Sequence, residues 1–218
     1  MMNTDSIVKG KLVCVALNDA EQLAALQQTF SEPPHKAAPT QPVLYFKPRN
    51  TWSTDGATVE WAQGAEDMVV GASLAVVIGE QCCRVSQAQA LDYVAGYSLM
   101  HDFSLPEKSY YRPDIKGKCL DGSAPVSAKL TPAAQVADLA QLSVVTQVNG
   151  ETVSEFALSQ CERSVPELIS TISYIMTLEP GDVIAVGFKG ERSPVAKGAS
   201  VTSAIAGVAE LTNTMGGE

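Results

Sequence analysis

The sequence predicts a β-rich α+β domain with a few short helices. Several segments alternate polar and apolar residues or are continuously apolar and rich in valine, whereas apolar residues at helical spacing occur in few places. The 218-residue chain has no internal repeat and no low-complexity linker, so a single core accounts for its length. We expect one domain over residues 1–218, with loosely ordered ends at residues 1–11 and 213–218.

The first segments alternate strands with a helix and a loop. Residues 12–17 are rich in strand formers, and apolar residues at helical spacing predict a helix over residues 21–30. Four prolines make residues 31–42 an extended loop, because proline lacks an N–H and disfavours helix before it. Residues 43–46 form the next predicted strand.

The centre of the chain predicts two buried strands. Residues 68–78 are almost continuously apolar, which is typical of a strand covered on both faces. A helix is expected over residues 86–92, followed by a strand that ends at His101 and Asp102. Because successive side chains of a strand point to opposite faces, we expect His101 to face away from Asp102 and to be structural.

In the remaining segments, residue patterns and turn-forming residues again predict the strands and helices. Asn149-Gly150 predicts a type I′ hairpin turn. The best helix pattern has Pro166 in its first turn and an apolar face that includes Ile175. In chain order we expect a loop at residues 104–118, a strand at 141–149, a helix at 165–178, a strand at 183–186, and one or two strands within 198–214.

The charge balance excludes several classes of partner. The chain has 15 basic and 24 acidic residues, a net charge of −9, so it lacks the basic surface of a nucleic-acid-binding protein. The longest uncharged apolar stretch, residues 68–79, is shorter than the roughly 20 residues that span a bilayer. With no leader pattern at the N-terminus, we expect a cytoplasmic protein that contacts neither nucleic acid nor membrane.

The five cysteines have no metal-ligand spacing, and we expect them to be reduced thiols. One alternative is that Cys119 is a nucleophile, because the neighbouring cation of Lys118 would lower its pKa.

Three motifs follow one another along the chain: Tyr45-Phe46-Lys47-Pro48, the segment from Gly96 to Ser104, and the segment from Thr177 to Ile184. Together they resemble the fumarylacetoacetate hydrolase family. The resemblance extends from about Val13 to Thr212 and implies a mixed β-roll that assembles as dimers or higher oligomers. It also implies chemistry on small 2-oxo dicarboxylic or tricarboxylic acids with Mg²⁺ or Mn²⁺ as cofactor.

The resemblance also implies where the metal ligands and the acid/base pair would lie. The family supplies a Glu-x-Glu pair and an aspartate; here the aspartate is Asp102, but Gly71 and Ser73 stand at the glutamate positions. Gln22 and Ala25 stand where the family has a His-x-x-Glu pair. One carboxylate cannot hold Mg²⁺ in the family manner. We therefore expect a degenerate metal site, and a homologous second subunit, a homodimer, or both.

By the same resemblance, the candidate catalytic residues are Asp102 and Lys118. Lys118 would pair with a substrate carboxylate; alternatives are a surface lysine or a structural ion pair with Asp102. The candidate substrate-binding residues are Lys47, Arg49, Tyr110 and Arg112, with solvated charges or loop packing as the structural alternatives.

The expected function is that of a subunit of a metal-dependent isomerase/decarboxylase of aromatic catabolism, active with a homologous partner that carries the complete metal site. One alternative is a self-sufficient hydrolase or decarboxylase of the family, with Glu66 or Asp67 as replacement ligands. The other is a non-catalytic structural subunit, which predicts an empty or closed pocket.

Overall fold

The computed structural model describes residues 6–217, which form two β-sheets and a few short helices. The predicted β-rich α+β class is confirmed. None of the described helices is long and apolar enough to cross a membrane. The α-helices are α1 (Ala20–Ala25), α2 (Gln27–Ser31), α3 (Ile115–Lys118) and α4 (Val165–Ile175), and the 3-10 helices are Arg49–Thr51, Gln87–Tyr93, Ala133–Gln135, Leu139–Gln141 and Leu158–Gln160.

The two sheets contain nine and five strands of the described chain. The strands are β1 (Leu12–Ala16), β2 (Val43–Phe46), β3 (Trp52–Thr54), β4 (Thr58–Val59), β5 (Met68–Ile78), β6 (Val94–Ser104), β7 (Ala124–Val126), β8 (Thr131–Pro132), β9 (Ser143–Val148), β10 (Glu151–Ala157), β11 (Val183–Ala185), β12 (Ser193–Val195), β13 (Ser200–Ile205) and β14 (Ala209–Met215). The larger sheet has the order β2-β1-β11-β5-β6-β7-β3, with β12 also paired to β5 and β8 to β6; the smaller has the order β10-β9-β13-β14-β4.

The antiparallel pair β5 and β6 forms the centre of the larger sheet. Every residue of β5 is buried, as its continuous apolar run predicts. One face packs Leu74 and Leu99 into the main core, and the other packs Ala75 and Met100 into a second cluster. Because both faces are covered, any polar side chain on these strands has to find its partners inside the protein.

The smaller sheet confirms the predicted hairpin and corrects one predicted end. Asn149 and Gly150 both have positive φ, and Val148 pairs with Glu151, as a two-residue type I′ turn requires. Asn213 and Met215 are buried in β14, so the expectation of a loose end is wrong for residues 213–215. Residues 1–5 and 218 lie outside the described part of the chain.

The predicted helix over residues 165–178 begins as expected but ends at Ile175. Beyond it, Leu178 and Cys82 exchange two backbone hydrogen bonds of 2.9 Å, which hold residue 178 in an extended conformation. Ile175, expected on the apolar face, is 58% exposed.

Two other helices differ from their predicted form. The helix expected over residues 21–30 is divided at Leu26 into α1 and α2, which brings Leu23 and Phe30 into one small cluster. The helix expected over residues 86–92 is a 3-10 helix, and the Ser86 hydroxyl donates to the Gln89 side chain rather than capping the backbone.

Candidate functional site

The candidate site is centred on Asp102, near the end of β6. Its side chain is fully buried and lies directly across from Gly71 of β5. The neighbouring His101 faces the other way, as predicted, and its ring pairs with Asn213 at 2.9 Å and Ser203 at 2.8 Å. The two ionisable residues at the end of this strand therefore belong to different environments.

Three cationic side chains surround the Asp102 carboxylate. Lys47 Nζ lies 2.6 Å from Oδ1, while Arg192 Nη1 and Lys118 Nζ lie 3.3 and 3.4 Å from Oδ2. The Tyr45 hydroxyl donates to Oδ2 at 2.7 Å. Burial alone would raise the pKa of Asp102, but the three positive charges outweigh burial and hold this pKa well below its usual range. Asp102 is therefore an ionised carboxylate inside the protein.

Lys47 is a buried partner of Asp102 and not a solvated charge at a strand end. It directly follows β2 and is 1% exposed. Its Nζ also donates to the carbonyl of Lys118 at 2.6 Å and to the Ser123 hydroxyl at 3.3 Å. The structural alternative of an exposed edge lysine is thus wrong, and two further acceptors, the Lys118 carbonyl and the Ser123 hydroxyl, hold the ammonium group beside Asp102.

Lys118 closes the same cluster from the last residue of α3. It is 5% exposed, so it is not a surface lysine. Its Nζ donates to the Ser104 hydroxyl at 3.2 Å and lies 3.6 Å from Glu107 Oε2, in addition to its ion pair with Asp102. The structural alternative for Lys118, an ion pair with Asp102, is therefore present.

Arg192 is the member of this cluster that sequence reasoning missed. Its guanidinium carbon lies 4.0 Å from the centroid of the Phe188 ring. A Cβ atom at Gly71 would collide with Cδ, Cζ and Nη1 of this side chain. The Arg192 side chain therefore fills the space that the absent side chain of Gly71 leaves open.

A loop closes the site on the side of α1. Gln22 Nε2 donates to the Tyr110 hydroxyl at 2.8 Å, which joins α1 to the loop between β6 and α3. Glu107 on this loop is half-buried, and burial raises its pKa. The cavity that remains beside Gln22, Glu107, Tyr110 and Arg192 has a volume of about 10 Å³. The closed pocket is the arrangement that the non-catalytic alternative predicts.

Two predicted substrate-binding cations lie outside this cluster. Arg112 is exposed, 5.9 Å from the Tyr111 ring centroid, and lines a separate open cleft of about 780 Å³. Arg49 is exposed in the 3-10 helix that follows β2. Glu66 and Asp67, the replacement ligands of a self-sufficient enzyme, are also exposed and line the same cleft as Arg112.

The five cysteines are single thiols, and one of them, Cys14, is buried beside Tyr45 and Asp102. All five are free, as expected. Cys119 is half-buried, and its carbonyl accepts a hydrogen bond from the Asn50 side chain at 3.1 Å. Its neighbour Lys118 directs its ammonium group at Asp102 and Ser104.

The residues around Asp102 do not fit a divalent metal ion. Among residues 6–217, no group of three or more His, Cys, Asp or Glu side chains is arranged to hold one. Mg²⁺ and Mn²⁺ are bound by several oxygen atoms, mostly of carboxylates and water, whereas Asp102 faces three cations. Ser73 is engaged elsewhere: its hydroxyl donates to the Leu74 carbonyl at 3.0 Å and accepts from the Gly187 N–H at 3.3 Å.

Comparisons of the sequence with known proteins agree with the fold. The family model described as fumarylacetoacetate (FAA) hydrolase C-terminal matches residues 11–216. A 4-hydroxyphenylacetate degradation bifunctional isomerase/decarboxylase of Salmonella dublin is 37% identical over 206 residues, which cover 94% of this chain and 47% of that protein. The chain spans about half the length of this relative. A mitochondrial oxaloacetate tautomerase of Bos taurus is 34% identical, over 92% of this chain and 89% of the relative.

Solved structures show the same fold. The fumarylpyruvate hydrolase of Pseudomonas aeruginosa, solved with Mn²⁺ and pyruvate, superposes with a TM-score of 0.81 at 25% identity, covering 97% of this chain and 91% of that chain. The 5-carboxymethyl-2-hydroxymuconate delta-isomerase of Mycobacterium smegmatis superposes with a TM-score of 0.82 at 25% identity, covering 98% and 81%.

Proposed function

Because the chain belongs to the fumarylacetoacetate hydrolase family, we propose that it is one of two homologous subunits or domains of an isomerase/decarboxylase of aromatic catabolism. The proposed complex decarboxylates 5-carboxymethyl-2-oxo-hex-3-ene-1,7-dioate and isomerises 2-hydroxyhepta-2,4-diene-1,7-dioate. The homologous partner holds the divalent metal in this proposal. The observation that carries the proposal is the lack of a set of metal ligands in the described part of the chain. The carboxylate of Asp102 is paired with three cations, and the residue across from it is Gly71.

The half-length match supports a two-part enzyme. The Salmonella dublin relative is an isomerase/decarboxylase by name, and this chain covers 47% of it. A second stretch of similar size in that protein leaves room for a second domain of this family. A chain with a degenerate site is consistent with such an arrangement, since the complete site need occur only once.

The charge of the site supports an anionic substrate. Lys47, Lys118 and Arg192 carry three positive charges against the carboxylates of Asp102 and Glu107, so one positive charge remains. A site with excess positive charge attracts carboxylates.

In this proposal Lys118 pairs with a substrate carboxylate when the loop that carries Tyr110 opens, and Asp102 orients Lys118. Tyr110 contacts substrate at the mouth of the pocket. Arg49 and Arg112 are exposed, so they meet substrate only outside the closed pocket.

Reconstitution tests the proposed function. The chain, its homologous metal-bearing partner and their mixture are assayed with Mg²⁺ for release of CO₂ and for the change in ultraviolet absorbance of the conjugated diene. We expect little turnover by this chain alone and restored turnover by the mixture. Full activity of this chain alone would favour the self-sufficient enzyme and contradict the proposal.

The closed pocket favours a second candidate, a non-catalytic structural subunit. Lys118→Met in the reconstituted complex separates the two, with Lys108→Met on the exposed part of the same loop as the control. The proposed function predicts a raised KM or a lowered kcat for Lys118→Met alone. A structural subunit predicts equal activity of both variants once size-exclusion chromatography shows that the complex has formed.

A further inference from the structure

We propose that the guanidinium of Arg192 is a permanent cation beside Asp102. Its position against Gly71 excludes a divalent metal ion from the Asp102 carboxylate. Exclusion of a metal ion from this buried site is a property of the chain itself and does not depend on the proposed reaction.

The first support is steric. Gly71 and Asp102 face each other on neighbouring strands, where side chains on one face lie side by side. The Arg192 side chain passes over Gly71 so closely that a Cβ atom there would collide with three of its atoms. The arginine is therefore seated in a groove that exists only because residue 71 has no side chain.

The second support is the way the guanidinium is held. Phe188 packs against one side of it at 4.0 Å, and Asp102 Oδ2 lies 3.3 Å from Nη1. Nη1 is buried and makes no hydrogen bond within the described structure. Opposite charge and ring stacking therefore hold this edge of the guanidinium beside the carboxylate.

The third support is electrostatic. Asp102 already interacts with Lys47 and Lys118, and Arg192 adds a third positive charge. An arginine side chain stays protonated in proteins, so it cannot make way for a metal by losing its charge. A divalent ion beside Asp102 would have to displace the guanidinium and would also be repelled by both lysines.

A double-mutant cycle tests the seating of Arg192 on Gly71. Gly71→Ala is made with Arg192 present and in an Arg192→Ala background, and the Tm of each variant is measured. We expect Gly71→Ala to lower the Tm by about 5 °C with Arg192 present, equivalent to one or two kcal/mol in a chain of this size. The loss should fall to less than about half of that value when Arg192 is absent.

Gly217→Ala is the matched control, since a Cβ atom at Gly217 would meet nothing within 4 Å. We expect it to leave the Tm unchanged in both backgrounds. If Gly71→Ala lowers the Tm equally with and without Arg192, Arg192 does not pack against Gly71 as proposed.

Titration with Mn²⁺ tests the exclusion. Gly71→Glu and Ser73→Glu are combined, with and without Arg192→Ala, and Mn²⁺ binding is followed by electron paramagnetic resonance and calorimetry. We expect no stoichiometric binding by the wild-type chain and about 100-fold tighter binding by the variant that lacks Arg192 than by the one that keeps it.

Two results would contradict the proposal that Arg192 excludes Mn²⁺ from Asp102. One is equal Mn²⁺ affinity with and without Arg192, and the other is binding of one Mn²⁺ by the wild-type chain that Asp102→Asn abolishes. If circular dichroism shows that the glutamate variants do not fold, the alanine cycle and the wild-type titration decide. Neither measurement uses substrate or the partner subunit, so failure here differs from failure of the reconstitution.

Discussion

His101 and Asp102 are neighbours in one strand, both fully buried, yet the two faces of the sheet accommodate them in opposite ways. On the face of Asp102, a full negative charge is surrounded by three cations. On the face of His101, the two hydrogen-bonding partners of the ring, Asn213 and Ser203, are uncharged, and the charge of Asp55 has a smaller influence than burial. Asn213 Nδ2 donates to the carbonyls of Thr54 and Ala57, so its Oδ1 accepts from His101 Nδ1–H.

The difference shows what each group needs inside a protein. A buried carboxylate stays ionised only where opposite charges replace its hydration, because an unpaired buried charge costs several kcal/mol. A buried imidazole needs only one donor and one acceptor, because it can stay neutral. The charged face is therefore the more sensitive to loss of a partner, and the neutral face is the more sensitive to mild acid.

The largest expected effect is on the charged face. Lys47→Met removes the cation nearest to Asp102 and leaves the Ser123 hydroxyl and the Lys118 carbonyl without their donor. We expect the free energy of unfolding to fall by about 4 kcal/mol, as for other broken buried ion pairs. Urea unfolding followed by circular dichroism measures it. Lys108→Met, at an exposed lysine, should change it by less than about 0.5 kcal/mol, and an equally small effect of Lys47→Met would contradict the comparison.

The pH dependence of stability distinguishes the two faces. Burial lowers the pKa of His101 from 6.5 to about 4. As the pH falls, the unfolded chain takes up this proton first, so the stabilisation that neutral His101 provides is present above pH 6.5 and is lost between pH 6.5 and about 4. The expected loss is about 3 kcal/mol over this range.

The lowered pKa of Asp102 affects the stability of the fold only at lower pH. Its ionised form is favoured by folding, so its stabilisation is lost only as the pH falls below the ordinary range of an aspartate. Urea unfolding between pH 7.5 and about pH 4.5, within the stable range of most proteins, should therefore be flatter for His101→Gln than for the wild type. Parallel curves for the two proteins would show that His101 does not cause the loss of stability in this pH range.

A smaller effect is expected at Tyr45. Tyr45→Phe removes the hydroxyl that donates to Asp102 Oδ2 at 2.7 Å and keeps the ring. Because the three cations remain, we expect a loss of about 2 kcal/mol, which is typical of one hydrogen bond to a charged group. Thermal or urea unfolding measures it, and Tyr174→Phe, at a side chain that is 63% exposed, is the control. A loss as large as that of Lys47→Met would mean that the hydroxyl and not the charge holds Asp102.

The smallest expected effect is at the loop that closes the charged face. Gln22→Ala removes the hydrogen bond to the Tyr110 hydroxyl, and we expect it to cost about 1 kcal/mol or less. Hydrogen exchange of the loop over residues 105–114 should become faster, while the His101 face is unchanged. Gln28→Ala, at an exposed glutamine, is the control, and unchanged exchange in Gln22→Ala would show that this bond does not hold the loop.

Local patterns were sufficient for much of the fold. The bounds of β2 and β5, the start of α4 and the turn at Asn149-Gly150 follow from strand-forming residues, a proline near a helix start and a glycine at positive φ. The end of α4 could not be predicted in this way. Leu178 is extended because it pairs with Cys82, far away in the sequence.

Some features of the candidate site follow from the sequence alone, and others depend on contacts between distant segments. Alternation and residue identity are local properties, so the sequence alone predicts that Asp102 lies on a buried strand, that His101 faces away from it, and that Gly71 and Ser73 supply no carboxylates. The strand itself continues two residues beyond its predicted end, to Ser104. Contacts in the folded chain bury Lys47, leave Arg112 outside the cluster, and bring Arg192 into the space at Gly71. These placements depend on contacts between segments far apart in the chain, and no local periodicity encodes which cation meets a buried carboxylate.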